Sequence, residues 1–197
     1  MKTSFTMALA AALSLAGSSW GQSHDGHATG ASETPHVVDS SFTTADGARD
    51  LQQSVVIEAP AHVLYQGYMD PKEFAKWNAP FSAVDLRVGG TFEAAYDATH
   101  KAGDPDNIKH RIITFLPDRL VVFQNIQAPK GLKGAQAFQR TVIVLQYEPL
   151  GPSRTRVTLS CTGWGQDADS EKLYGFFRAG NAYLLEKMKS VYDGAKS

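Results

Sequence analysis

Between residues 54 and 65 the chain reads SVVIEAPAHVLY, and the period of its apolar positions changes at a proline. Val55, Ile57 and Ala59 fall on one side of an extended strand, whereas Val63, Leu64 and Tyr68 recur at helical spacing. Proline fixes φ near the helical value and lacks an N–H donor, so it ends a strand and suits a helix's first turn. The pattern predicts a strand over 51–59 and a helix over 60–68. In MDPKEFAKWN a second short helix follows: Asp70 offers a capping carboxylate, Pro71 takes the first helical position, and Phe74 and Trp77 stand three apart.

Alternation then returns. FSAVDLRVGGTFEAAYD reads as strand, Gly89-Gly90 turn and strand, because paired glycines between alternating runs signal a hairpin. Further strands are expected at 107–116, 119–126, 138–148 and 154–163, and the connectors LPDR, APKGLKGAQA and PLGPSR each carry Pro or Gly. Strands joined by short turns form an antiparallel meander. The longest helical segment spans 169–193, with Leu173, Phe177, Leu184, Met188 and Val191 on one stripe. Gly175 and Gly180 lower its helix propensity, which points to a close approach or a kink. The order predicts an α+β domain: a curved antiparallel sheet of about seven strands, two short helices after the first strand, and a long C-terminal helix.

The chain's beginning changes the picture of where this domain works. One lysine precedes an apolar run from Met7 to Ala16, and small residues follow. This is the form of a secretory signal peptide over 1–21, cut before Gln22, and it implies a periplasmic or secreted product. No cysteine follows the run, so no lipid anchor and no stable membrane attachment are expected. Residues 22–50 are rich in Ser, Thr, Gly, Ala, His and Asp and read as a flexible leader, leaving 51–197 as one domain. The 19 basic and 20 acidic residues give a net charge of −1, which argues against a nucleic-acid partner. Cys161 is the only cysteine and sits in an alternating strand, so it reads as a buried small apolar residue rather than a nucleophile.

Several short stretches, taken in order, resemble the START-like, or SRPBCC, superfamily with its helix-grip fold. They are VVIEAP at 55–60, Met69-Asp70-Pro71 with Trp77, LRVGGTFE at 86–93, LPDRLV at 116–121, TRVTL at 155–159 and GNAYLLEKMK at 180–189. Within that superfamily the chain is most similar to the branch named after activators of a heat-shock chaperone ATPase. The resemblance implies a sheet wrapped around the C-terminal helix with a ligand cavity between them. Asn181 stands where many relatives carry tryptophan, and this changes what faces the cavity.

Aromatic residues are spread over most elements, and aromatic walls with a few polar tips suit a small apolar or aromatic molecule. The expected lining is Trp77, Phe92, Tyr96, His110, Phe123, Tyr147, Phe177 and Leu184. An exported ligand-binding protein is the first reading. A cofactor-free enzyme of cyclase, dehydratase or hydrolase type is the alternative, and it would need His110, Tyr96 or Glu93 inside the cavity. A periplasmic interaction module is the third. No catalytic residue is assigned and no cofactor is expected, because phosphate-loop, dinucleotide, nucleophile-elbow and zinc patterns are missing. Glu58, Glu93, Asp85 and Asp97 are expected to pair with arginines across strands, and His24, His27 and His36 to be solvated in the leader. A Gln-Ser-His terminus exposed by cleavage could alternatively encircle copper(II) or nickel(II).

Overall fold

The computed structural model describes residues 36–195. The expected signal peptide and the expected leader up to residue 35, with His24 and His27, lie outside the described residues. Strand β3 (Arg49–Ile57) is flanked on one edge by two short pieces, β1 (Val38–Asp39) and β2 (Phe42–Thr43). The end of the segment expected to be a flexible leader is therefore laid against the sheet. Ser41 Oγ accepts a bond from the Gln52 backbone N–H at 3.1 Å, which ties the gap between the two pieces to β3.

Pro60 adopts φ −64° and ψ 147°, so it caps helix α1 (Ala61–Met69) from just outside rather than entering its first turn. Helix α2 (Pro71–Trp77) starts as its sequence predicts: Asp70 Oδ1 accepts from the backbone N–H of Lys72 and Glu73 at 2.8 and 3.2 Å. Such a cap satisfies donors that the first helical turn leaves without partners.

Strands β4 (Phe81–Val84) and β5 (Thr91–Ala95) form the expected hairpin. Its turn requires both glycines, since Gly89 has φ +79° and a Cβ on Gly90 would lie 2.1 Å from the Asp85 carbonyl. Strands β6 (Ile108–Leu116), β7 (Leu120–Gln127), β8 (Val142–Gly151) and β9 (Arg154–Trp164) complete an antiparallel sheet ordered β1-β3-β9-β8-β7-β6-β5-β4, with β2 also on β3. The nine strands are the expected seven plus the divided edge. One boundary needs correction. Residues 135–139 form a short helix, α3 (Ala135–Gln139), and β8 begins at Val142 rather than near 138.

Helix α4 (Ala168–Tyr192) crosses the concave side. Its buried stripe is Leu173, Ala182, Leu185, Met188 and Tyr192; Phe177 and Leu184 are half-buried and Val191 is exposed. The expected stripe holds Leu173 and Met188 but differs at its other positions, where Ala182, Leu185 and Tyr192 are the buried residues. A Cβ on Gly175 or Gly180 meets nothing within 4 Å, so neither glycine marks a close approach. The close approach lies elsewhere: a Cβ on Gly67 would come 2.6 Å from the Tyr192 ring. Gly67 also accepts a bond from Trp77 Nε1 at 2.8 Å, joining α1, α2 and α4 at one end of the sheet.

Candidate functional site

Strand alternation decides what faces α4. Phe92 on β5 pairs with His110 on β6, and His110 pairs with Asn125 on β7. These three side chains point to the concave side, and Glu93, one residue along, points away. The His110 ring lies 6.5 Å from Phe92, 5.8 Å from Phe123 and 6.0 Å from Phe138, edge-on to the last. Phe138 in turn stacks on Phe177 of α4 at 4.3 Å. His110 thus sits at the junction of two aromatic groups, one around α1 and α2 and one around α3 and Trp164.

The polar atoms at this junction are incomplete. Asn125 Nδ2 donates to the carbonyls of Lys109 and Gln127 at 3.2 and 2.9 Å, which fixes its amide and leaves Oδ1 as an acceptor. That oxygen and His110 Nδ1 are both sealed from solvent and have no hydrogen-bond partner among the described residues. Burial pushes the imidazole down to about 4, so the ring is neutral at physiological pH and presents one donor and one acceptor. Buried polar groups without partners are costly and uncommon in native proteins. Tyr65, Tyr147 and Tyr192 have hydroxyls in the same condition, and burial raises all three phenols, Tyr192 to about 12.

The eight residues expected to line the cavity separate into three places. Phe92 and Phe123 are sealed beside the half-buried His110, Phe177 is half-buried on Phe138, and Leu184 is half-buried against the core cluster that holds Phe92 and Phe123. Trp77 and Tyr147 belong to the sealed core by α1, where Tyr147 meets Tyr65 edge-on at 5.6 Å. Tyr96 is half exposed at the rim, its hydroxyl 3.5 Å from Asn78 Oδ1. Asn125 and Phe138 are missing from the expected lining. Alternation in VVFQNIQ carries Asn125 to the face of Val121 and Phe123, so its position was readable; Phe138 was concealed by the short helix taken for strand.

A separate crevice of about 390 Å3 opens on the other flank of α4, between Arg178, Ala179 and Ala182 of the helix and Val37, Asp39 and Gln53 of the sheet edge. None of the eight expected residues lines it.

The other singled-out residues have structural roles. Cys161 donates to Thr141 Oγ1 at 3.1 Å, and burial pushes its thiol up to about 12. Glu93 is buried because the loop beyond β5 folds over it: it accepts from Gly103 N and Asn107 Nδ2, both at 2.7 Å, with Lys109 Nζ at 3.4 Å. Glu58 pairs with Arg154 and Asp85 with Arg87 at the surface, while Asp97 holds Thr99 in its own turn. His36 is held by Glu186 of α4 at 3.0 Å.

The sequence profile of the family described as "Activator of Hsp90 ATPase homolog 1-like protein" matches residues 58–193. The chain belongs to this family. Among solved structures, the Aha1 dimer of Colwellia psychrerythraea is similar with a TM-score of 0.58 at 17% identity, over 75% of this chain and 98% of that one. CalU16 from Micromonospora echinospora gives 0.55 at 18% identity, over 82% and 85%. Protein MLL2253 from Mesorhizobium loti gives 0.56 at 18%, over 74% and 99%. At these identities the likeness establishes the helix-grip fold. No curated protein sequence matches the chain.

Proposed function

We propose that this chain is an exported binding protein that holds a small, largely apolar or aromatic molecule between its sheet and α4. Members of its family commonly bind hydrophobic ligands. The observation that carries the reading is the His110–Asn125 pair: two sealed polar atoms without partners in an aromatic surround. A ligand hydroxyl or amide placed there would complete both bonds, donating to Asn125 Oδ1, while its apolar body gains about 25 cal/mol per Å2 buried against Phe92, Phe123 and Phe177. Export rests on the apolar run at Met7–Ala16.

The test combines native mass spectrometry of protein purified from its own compartment with thermal-shift titrations of phenols and aromatic amides. A retained small molecule, or a saturable shift that weakens about tenfold in Asn125→Leu, is expected. No retained mass together with no saturable shift overturns the reading, as does identical binding by Asn125→Leu and the unaltered chain.

A further inference from the structure

The crevice beside β1 contains a polar atom that the fold does not satisfy. Gln53 is 3% exposed, and its Nε2 donates to Asp39 Oδ2 at 3.3 Å. Asp39 is held in turn by Arg178 Nε at 2.7 Å and by the Ser41 backbone N–H at 3.0 Å. This chain fixes the orientation of the Gln53 amide. Its Oε1 is left sealed, with no donor among the described residues. Around it, Val37, Ala179 and Ala182 supply a small aliphatic wall, and the open space above Gly175 extends the volume along the helix. The roughly 390 Å3 available is in the range of small-ligand sites.

We infer that this crevice is a second binding site, separate from the interior, for a compact aliphatic molecule carrying one hydroxyl or amide N–H donor that bonds Gln53 Oε1. The wall chemistry selects the class. Among the described residues no aromatic side chain lines the crevice, so planar ring stacking contributes nothing there, and methyl and methylene groups fit the Val and Ala surfaces. An acceptor without a donor discriminates strongly against molecules that lack one, because binding them leaves the Gln53 oxygen unpaired.

The experiment titrates the 15N-labelled protein with hexanamide and with methyl hexanoate, which has a similar chain and no donor. The expected result is a saturable perturbation of the Gln53 side-chain amide and of the Ala179 and Ala182 backbone signals by hexanamide, about tenfold weaker for methyl hexanoate. Gln53→Leu should erase the preference between the probes. Ala179→Trp, or Gly175→Leu if the tryptophan variant fails to fold, should abolish both titrations. Equal binding of the two probes, no saturable perturbation, or an unchanged titration in the filled variant overturns the assignment. Perturbation of the His110 ring signals without those of Gln53 also overturns it and leaves the interior proposal standing.

Discussion

The two flanks of α4 handle the same problem with opposite materials. On the side of β5, β6 and β7 the space is filled by aromatic rings 5.6 to 6.5 Å apart, which the helix joins through Phe177 stacked on Phe138 at 4.3 Å, and the polar atoms of His110 and Asn125 are enclosed there. Toward β1 and β3 it presents Gly175, Ala179 and Ala182, and the gap stays open to solvent above Gln53. A packed flank ties binding to the stability of the fold, because the rings that would touch a ligand also support the sheet. An open flank separates the two, since little is lost when its residues change. Mutations should therefore move stability and binding together on the first flank and independently on the second.

The largest effect should come from the aromatic floor. Phe123→Ala leaves a cavity among Phe92, Tyr68 and His110 and should lower unfolding free energy by about 3–5 kcal/mol in urea titrations. A loss below about 1 kcal/mol would mean that this flank is looser than its ring contacts imply. The pH dependence comes next. His110 takes up a proton below about 6.5 when unfolded but only near 4 when folded, so its contribution is complete above pH 6.5 and is lost as pH falls toward 4. The loss should amount to about 2–3 kcal/mol between pH 7 and 4, and His110→Leu should flatten that slope. The smallest change belongs to the open flank and has the opposite sign. Gly175→Ala should raise stability by about 0.5–1 kcal/mol, because the added Cβ meets nothing and the helix loses a glycine. Destabilisation there would show that the gap is closed in solution and would remove the contrast.

Much of this architecture was legible in local chemistry. Asp70 and Pro71 marked the start of α2, Gly89-Gly90 required a turn, and alternation located β5, β6, β7 and β9 to within a residue or two. The errors arose where tertiary packing overrode periodicity. Leu184 and Val191 belong to a regular helical stripe, yet α4 buries Ala182, Leu185 and Tyr192, with the Tyr192 ring packed directly on Gly67. Val38 and Phe42 look like isolated apolar residues in a polar segment, and only the unpaired edge of β3 gives them partners. The candidate site was half visible for the same reason. His110 stood out by residue type, whereas the importance of Asn125 depends on which of its atoms the neighbouring carbonyls leave unused.

The divided strand at β3 has a consequence for solubility. An intact border strand would offer a continuous row of amides and carbonyls on which another molecule's strand could grow. Here that border is two pieces of two residues each, interrupted at Ser40 and Ser41, and the opposite border, β4, has four. Among the described residues neither margin presents a long straight template, which guards the sheet at both sides against the edge-to-edge stacking that seeds fibrils.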